Sequence, residues 1–595
     1  MPLNGALQIG RSALTASQLA IQVAGNNVAN ATTLGYSRQD ISMRPITDSR
    51  SSGGFIGRGV EVQSIRRQVD SALQQRLLGG TSAQGAANTD LQQLAEMESL
   101  LSDLDGQGLT SQLGRFYNSW SELANSPNLG GNRSLVVQQG RTLAAYMRDT
   151  RGQLEQHRSQ IETQLQSRAQ RVNGLLGEIA SANAQIVIAE GGSSQANGLR
   201  DRRDMLIGEL AQHMDVTTVQ QSTGAVDVLV GSSPVVMGGT SRGIEYRAET
   251  TPAGTNVAIV TRDNAEQLNI RGGTIGSLLA QRTTLVNDTI DRLDDIASQL
   301  IFQVNRVHSQ GLGGRAYTNL SGTLNLGAGD ASLAMNDPTN ASFSALRNSP
   351  QSGSFLVRVR NDATGEVRTA TINVDLDGLT STLGLGTADD TSVGSLAAQL
   401  GGVANLTASV TGDGHLSVSA SSGYTLSFGD DTSGVLAVLG VNAYFTGTDA
   451  SNIAVRTGLS ATPDLLASGR YVTRTAVGAI ADTAGQEADF NENGAAMLIA
   501  GLRTAKLSEF GNASISDVWG QTVQAVAVKT AAARTAADSA AVVKENLDAQ
   551  RSAVAGVSLD EEAINLINYQ RQYQASARYI SVVDELTQTL ISLIG

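Results

Sequence analysis

The chain of 595 residues contains no cysteine, few aromatic residues and no long apolar run. The absence of cysteine excludes disulfide bonds and thiolate metal sites, so stability has to come from packing and assembly. Aromatic residues make up only 4% of the chain whereas glycine occurs 64 times, which indicates many turns and thin cores. No stretch approaches the roughly 18 apolar residues that a membrane helix requires.

The chain also lacks the features of a cleaved signal peptide and of a nucleic-acid-binding protein. Its first residues, from Met1 to Leu7, carry neither a basic head nor a continuous apolar segment. We therefore expect a cytoplasmic chain, or one exported by a route that reads no such signal. The net charge of −13 argues against nucleic acid, because a phosphate backbone is bound by a clustered excess of lysine and arginine.

What the sequence does contain is typical of a soluble globular protein with more than one domain. The composition is 41% hydrophobic and 16% charged, as in folded domains and unlike disordered chains. A chain of this length is too long for a single core.

Both ends of the chain are patterned for helices that pair with other helices. Apolar and small residues follow one another at alternating spacings of three and four, a heptad pattern. Ser558 to Glu561 opens the C-terminal helix with a capping-box pattern. Neither helix has a core of its own, so we expect the two to bury their stripes on each other or on neighbouring subunits. The N-terminal stripe is Leu3, Leu7, Gly10, Leu14, Ser17, Ile21, Ala24 and Val28, and the C-terminal stripe is Leu559, Ala563, Leu566, Tyr573, Ala577, Ile580, Val583, Leu586, Leu590 and Leu593.

Between the ends the pattern changes from helix to strand and back. Apolar spacing predicts long helices over residues 154–186, 276–308 and 518–554. Short strands with glycine-containing turns are predicted over residues 216–270, and hairpins in a region rich in Ser, Thr and Gly over 313–456.

These patterns predict a multidomain α+β fold with paired terminal helices in a coiled-coil-like arrangement, an elongated helical rod domain and an inserted antiparallel β module. The predicted divisions are an N-terminal inner-tube helix at 1–35 that pairs with a C-terminal one at 556–595, a helical rod domain at 36–312 with a small β region near 216–270, an outer β domain at 313–456, and return helices of the rod domain at 457–555.

No motif in the sequence indicates a catalytic site or a bound cofactor. The glycine-rich segment from Gly53 to Gly59 lacks the Lys-Ser/Thr pair of a phosphate loop. The segment from Asn373 to Gly378 begins like a calcium loop, but its twelfth position is Gly384 where a bidentate glutamate is needed. We therefore expect no enzyme, no cofactor and no metal site. The four histidines, read as surface or packing residues without metal-ligand spacing, are His157, His213, His308 and His415.

The most specific motif runs from Asn26 to Gln39, with the sequence NNVANATTLGYSRQ. Asparagine side chains can satisfy the last carbonyls of a helix. Gly35 then allows a left-handed turn and Tyr36 begins extended chain.

This motif resembles the N-terminal signature that bacterial flagellar rod, hook and hook-associated proteins share, and its end, from Gly35 to Gln39, is most like the hook-associated protein FlgK. Further segments resemble the same family in the same order. They are Gly57–Val60, Ile65–Arg67, Phe116–Trp120, Leu199–Asp204, Val557–Glu562, Tyr573–Arg578 and Val583–Asp584.

The resemblance implies a structural, non-catalytic subunit at the junction between hook and filament, needed for filament assembly and motility. It implies self-association in a ring or tube, with hook protein, a neighbouring hook-associated protein, the filament and a cytoplasmic export chaperone as partners, and neither nucleic acid nor membrane insertion. It also implies an extracellular place on the flagellum, reached through the flagellar type III apparatus. Alternatives are a hook or distal-rod subunit, and a secreted adhesin that acts through the β module. The residues expected at the assembly interface are Leu3, Leu7, Leu14, Ile21, Asn26, Asn27, Asn30, Gly35, Tyr36, Leu559, Leu566, Tyr573, Ile580 and Leu590.

Overall fold

The structure is a computed structural model that describes residues 2–51, 54–102, 106, 108–191, 194–251, 254–380, 384–473, 486–487 and 492–594. Gly53, residues 381–383 of the acidic segment and the side chain of Leu593 lie outside the described residues. The chain forms two compact units, each built from segments that are distant in sequence. Unit 1 comprises Met1–Ala95, Gln160–Thr283 and Lys529–Gly595, and unit 2 comprises Glu96–Ser159 and Thr284–Val528.

Long helices and short antiparallel strands alternate along the chain, so the predicted multidomain α+β class is confirmed. The helices are α1 (Pro2–Ala29), α2 (Ser71–Leu101), α3 (Leu109–Asn125), α4 (Gly130–Ala189), α5 (Asn197–His213), α6 (Gly273–Gln281), α7 (Asp288–His308), α8 (Ala341–Ser344), α9 (Val393–Gly401), α10 (Val435–Val438), α11 (Thr457–Ala461), α12 (Gly494–Gly501), α13 (Ile515–Ala555) and α14 (Leu559–Ile594). The strands are β1 (Gln39–Pro45), β2 (Ser49–Ser51), β3 (Gly54–Ile56), β4 (Val60–Arg67), β5 (Val216–Gln220), β6 (Val226–Val230), β7 (Ser233–Met237), β8 (Thr240–Ser241), β9 (Ile244–Thr251), β10 (Gly254–Thr261), β11 (Asn319–Ser321), β12 (Gly353–Asn361), β13 (Val367–Val374), β14 (Leu379–Thr380), β15 (Gly384–Leu385), β16 (Leu406–Val410), β17 (Leu416–Ala420), β18 (Tyr424–Gly429), β19 (Phe445–Thr446), β20 (Ala454–Val455), β21 (Val472–Thr473) and β22 (Gln486–Glu487). None of the helices in the described ranges is long and apolar enough to cross a membrane.

Unit 1 holds the two ends of the chain. Helix α1 packs along α14, and the extended segment after α1 forms β1, which pairs antiparallel with β4 from Gln39 opposite Arg67 onward. Strands β5 to β8 form a four-stranded sheet in sequence order, and β9 pairs with β10 as a hairpin. The chain segment that follows α1 is thereby fixed beside β4.

The helical cores of unit 1 follow the apolar spacing of the sequence. On α4, the apolar residues predicted to form a stripe are fully buried, including Ile161, Leu165 and Val172. Helix α2 contributes Leu73 and Leu77 to a small cluster with Leu547 of α13. Burying one face of each helix in this way supplies the stabilisation that propensity alone does not.

Unit 2 contains a buried cluster of aromatic side chains, although aromatic residues are few in the chain as a whole. Phe116 and Trp120 of α3 contact Tyr444, whose ring centroid lies 5.8 Å and 5.4 Å from theirs. His308, at the end of α7, is enclosed by the same rings. The Ala467 N–H donates to Nε2 of His308 at 3.0 Å, and burial lowers the pKa of His308 to about 3. This histidine is therefore a neutral packing residue.

The β module of unit 2 contains two three-stranded antiparallel sheets, in the orders β13-β12-β18 and β11-β17-β16. The alternation on β12 places Phe355, Val357 and Val359 in the core. Strand β12 turns into β13 through Asn361–Gly365, and β16 turns into β17 through Thr411–Gly414, as the sequence predicts. Helix α9 covers the module and adds Leu396 and Leu400 to its core.

Candidate assembly site at the paired termini

The two terminal helices of unit 1 run antiparallel and approach closely where their residues are small. A β-carbon placed on Gly10 would lie 2.6 Å from Cγ1 of Ile580, so only glycine allows this separation. Further along α1, Ser17 and Ala24 are buried. At the other end of the pair Asn27 meets Glu562. Gly10 is therefore a point of close approach between the two helices, and the small residues of the N-terminal stripe stay predicted positions of the contact.

Most of the larger residues of the two predicted stripes are not enclosed by this pairing, although Val583 is buried. Helix α14 has 36 residues and α1 has 28. Because Gly10 lies opposite Ile580 and Asn27 opposite Glu562, Leu559 and Leu590 extend beyond the two ends of α1. The structure leaves both exposed, so of the two partners expected for the stripes, α1 does not cover these residues. Tyr573 is also exposed, while the half-buried members are Leu3, Leu7, Leu14, Ile21, Leu566 and Ile580.

Asn27 is the polar centre of the site and is only 1% exposed. Its Nδ2 donates to the Gln39 carbonyl at 2.9 Å and to Oε2 of Glu562 at 3.2 Å. Its Oδ1 accepts from the Tyr36 hydroxyl at 2.8 Å and from the Gln39 N–H at 3.0 Å. An asparagine amide has two N–H donors and two acceptor positions, and all four are used. One side chain thus joins the end of α1, the start of β1 and the first turn of α14.

Arg38 completes the connection to the C-terminal helix. Its guanidinium contacts Glu562 at 2.8 Å and Glu561 at 3.0 Å, and its backbone N–H donates to the Ala555 carbonyl at 2.8 Å. Glu562 is only 3% exposed, so its charge needs both the arginine and the asparagine donor. Asn27, Tyr36, Arg38, Gln39 and Glu562 are called the Asn27 network below.

The remaining residues of the signature shape the turn that carries this network. Gly35 has φ of +82°, the left-handed conformation that favours glycine. Asn30 donates to the backbone carbonyl and to Oδ1 of Asn26, both at 2.9 Å, and so closes the end of α1. Burial, with the nearby Asp201 and Glu562 carboxylates, raises the pKa of the Tyr36 hydroxyl to about 12. The hydroxyl therefore stays protonated and donates to Asn27.

A second cluster of charged side chains, on β4 and α5, holds the segment between α1 and β1. Arg67 of β4 contacts Asp201 and Asp204 of α5, each at 2.8 Å. Asp201 also accepts from the Ser37 N–H at 3.3 Å. Arg203, on the same helix, also contacts Asp204 at 2.8 Å. The arginine that contacts both carboxylates, however, is Arg67 of β4, the strand that pairs with β1.

Sequence reasoning named Asn27 and Tyr36 for this site but not Arg38, Asp201 or Glu562. The signal for Glu562 was present, since it is the third acidic residue in the first turn of α14. The helix dipole alone explains an acidic first turn, so the pattern does not reveal that Glu562 also binds Asn27 and Arg38. Contacts between residues more than 500 positions apart cannot be read from local spacing.

Helix α14 keeps a set of exposed apolar residues when it is paired with α1, called the α14 outer face. Its members are spaced for one helix face and are each between 48% and 60% exposed. Exposed apolar patches of this kind mark interaction surfaces. The α14 outer face consists of Ile564, Ile567, Val582 and Leu586, the last of which also belongs to the stripe predicted from the sequence.

Three family models match separate parts of the chain. The flagellar hook-associated protein FlgK helical domain matches residues 94–323. The flagella basal body rod protein model matches residues 7–36, which include most of α1 and the signature turn. The flagellar basal body rod FlgEFG protein C-terminal model matches residues 550–593, which include α14 up to its last residue but one.

Relatives of known identity cover the chain almost completely. Flagellar hook-associated protein 1 of Escherichia coli (strain K12) is 24% identical over 591 residues, 98% of either chain. The protein of the same name from Bacillus subtilis (strain 168) is 32% identical over 225 residues, which is 37% of this chain and 44% of that protein. The solved structure of the flagellar hook junction protein FlgK from Burkholderia pseudomallei has the same fold, with a TM-score of 0.52 and 15% identity, covering 81% of this chain and 100% of that one. The chain belongs to the FlgK family of flagellar hook-associated proteins and is a structural component of the bacterial flagellum.

Proposed function

We propose that the chain joins the hook to the filament by packing its paired terminal helices against those of neighbouring copies. The observation that carries this proposal is the α14 outer face, which stays apolar and exposed after α1 and α14 have paired. Fully burying an aliphatic side chain contributes roughly 1.5–3 kcal/mol. About half of the surface of each of these side chains is already covered in the single chain. The free energy gained per residue is therefore smaller, and several residues are needed to stabilise a contact between subunits.

In this proposal residues 1–35 and 556–595 form an inner tube, and the remaining predicted domains surround it. A contact between different surfaces of identical subunits repeats around an axis and closes into a ring or tube. Half-buried Leu3, Leu7, Leu14 and Ile21 present further apolar surface on α1 for the same contact. Leu559 and Leu590, which extend beyond α1, are available to the next subunit.

The Asn27 network has a distinct part in this mechanism. Its hydrogen bonds fix the angle at which the chain leaves the helix pair, because Asn27 holds both the N–H and the carbonyl of Gln39, the first residue of β1. A fixed exit keeps the outer domains of successive subunits in equivalent positions. The role is structural and requires no catalytic step.

The proposed partners follow from the position between hook and filament. They are hook protein on one side, the neighbouring hook-associated protein and filament on the other, and a cytoplasmic export chaperone on α14 before assembly. A chaperone that covers the α14 outer face would keep these apolar residues from associating prematurely. Export through the flagellar type III apparatus is part of the same proposal.

The test uses Val582→Asp combined with Leu586→Asp, with Gln574→Asp on an exposed polar position of α14 as the matched control. Because the changed residues are exposed in the single chain, the thermal midpoint of the purified double variant should stay within about 2 °C of wild type, since surface changes are usually within ±0.5 kcal/mol. Cells lacking the wild-type gene and expressing the double variant should carry hooks without filaments and release flagellin into the medium. The control should restore filaments.

Two results would contradict the proposal. Normal filaments with the double variant would mean that the α14 outer face does not carry the assembly. Loss of attachment to surfaces with filaments intact, on deletion of the gene, would favour an adhesin that acts through the β module.

A further inference from the structure

Three carboxylates that are separated in sequence converge at one edge of the β module. Asp375 and Asp377 follow the end of β13, and Asp390 precedes α9. One oxygen from each lies within 4.8 Å of the others. From the sequence we expected no metal site here, because the segment that begins at Asn373 has Gly384 at its twelfth position, but the fold supplies a third carboxylate from a residue outside that segment.

The backbone of this cluster is held in place independently of the carboxylates. The Asp375 N–H donates to Oγ1 of Thr391 at 2.9 Å, and the Thr391 N–H donates to the Asp375 carbonyl at 2.7 Å. Gly378 has φ of +70°, which turns the chain after Asp377. These contacts connect the segment after β13 to the segment before α9, so the arrangement is formed before any ligand arrives.

Asp390 is 7% exposed and only one of its two oxygens is used. Oδ2 accepts from Nδ2 of Asn336 at 2.6 Å and from the Gly378 N–H at 3.2 Å. Oδ1 is buried and accepts no hydrogen bond from any residue that the structure describes, and the same is true of Oδ1 of Asn336. A buried carboxylate oxygen without a partner costs free energy of roughly 1–3 kcal/mol or more.

The charge of the cluster is also uncompensated. No lysine or arginine in the described part of the chain forms an ion pair with Asp375, Asp377 or Asp390. By contrast, every buried carboxylate of the Asn27 network region, Asp201 and Glu562, contacts an arginine. Three neighbouring carboxylates, one of them buried with a free oxygen, therefore form a site at which a cation from outside the chain would be stabilised.

We propose that this cluster, called the Asp390 cluster, binds one calcium ion. Its donors are oxygens alone, the set that calcium and magnesium prefer over the nitrogen and sulfur of zinc sites. One oxygen of each carboxylate lies within 4.8 Å of the others, which is close enough for all three to bind one calcium ion. Magnesium is usually held by one or two carboxylates with several waters, and not by a set of ligands from the protein alone. Asp375, Asp377 and Oδ1 of Asp390 would supply charge, and Oδ1 of Asn336 a neutral fourth donor.

The site would join β13 to α9 across the β module. Affinities of extracellular calcium modules are roughly 10⁻⁴ to 10⁻³ M, so the site would be filled outside the cell and largely empty in the cytoplasm. This inference is separate from the proposed assembly of the terminal helices, since all its residues lie in the β module.

The experiment is a calcium titration of the purified full-length chain by isothermal calorimetry, with a parallel measurement of thermal unfolding. The test variant is Asp375→Asn combined with Asp377→Asn, two exposed residues whose replacement leaves the core unchanged. The control is Asp413→Asn, an exposed aspartate on the turn between β16 and β17. Wild type and control should bind one calcium ion in the stated range and unfold at higher temperature with calcium.

The double variant should bind calcium at least about 10-fold more weakly, since loss of even indirect support for a metal costs 10- to 100-fold. Equal calcium binding by the double variant would assign the ion to other surface carboxylates and overturn the proposal. Absence of saturable binding by wild type below about 10 mM, well above the range of extracellular sites, would leave the Asp390 cluster with a purely hydrogen-bonding role.

Discussion

Replacing Asn27 by alanine should separate the first turn of α14 from the signature segment. The side chain is 1% exposed and makes four hydrogen bonds, two of them to the backbone of Gln39 and one to the carboxylate of Glu562. A neutral hydrogen bond contributes about 1 kcal/mol and one to a charged group about 1.5–3 kcal/mol. We therefore expect the local pairing to lose about 3–5 kcal/mol, because the partners are left buried and unsatisfied.

The neighbouring Asn26 provides a matched control. It has the same side chain one position earlier in the signature, but it is exposed and its contact with the Tyr36 hydroxyl is 3.3 Å long. Asn26→Ala should cost less than about 1 kcal/mol. From the sequence alone the two asparagines are equivalent, so the comparison tests the geometry directly.

Hydrogen exchange followed by mass spectrometry is the suitable assay, since a chain with two units does not unfold as one two-state system. Amides in residues 559–570 should exchange about 10²- to 10³-fold faster in Asn27→Ala, as each 1.4 kcal/mol is a factor of ten. Amides of α9, in unit 2, should be unaffected and report any global loss of fold. If the two alanine variants exchange within threefold of each other at α14, the Asn27 network does not hold the helix.

Three further outcomes are expected, each checked on the purified chain. Arg38→Met should cost about 3–5 kcal/mol of pairing by the same exchange assay, because it leaves the buried charge of Glu562 without its cation, while Arg44→Met breaks an exposed pair and should cost less than about 1 kcal/mol. Gly35→Ala should destabilise the signature turn by about 1–2 kcal/mol, because φ of +82° strains a residue with a β-carbon; unchanged exchange at residues 28–37 would contradict this. Burial holds the pKa of His308 at about 3, below its unfolded value of about 6.5, so the unfolded chain binds the extra proton and stability falls as pH drops below about 6.5. His308→Gln should reduce that slope by up to about 1.4 kcal/mol per pH unit, measured between pH 6.5 and 5 as the opening free energy of α7 by hydrogen exchange, and an unchanged slope would show that this group is not the one that titrates.

Much of the fold follows from local pattern. The heptad run on α4 and the hairpins of the β module were predicted because each depends on spacing within one segment. Helix α2 was not predicted. Its apolar residues, such as Leu73 and Leu77, are diluted by glycine and glutamine, and it is stabilised by α13, more than 400 positions away.

The candidate site was only partly predictable for the same reason. Spacing pointed to Gly10, where the two helices approach closely, but not to where the partner helix ends. Leu559 and Leu590 continue the stripe in the sequence, yet they lie beyond the length of α1. The lesson is general for paired helices of unequal length, since a heptad pattern gives the face of a contact and not its extent.

The contact between Asn27 and Glu562 joins positions 535 residues apart, and this has a consequence for how the chain matures. Folding slows when stabilising contacts are distant in sequence. The signature segment cannot reach its final arrangement until nearly the whole chain has been made. A product that stops before residue 559 would keep the segments of the β module and most of its helices, yet would leave Asn27 and Arg38 without their acidic partner. The order of the segment from Asn27 to Gln39 therefore reports whether the C-terminal end of the chain is present.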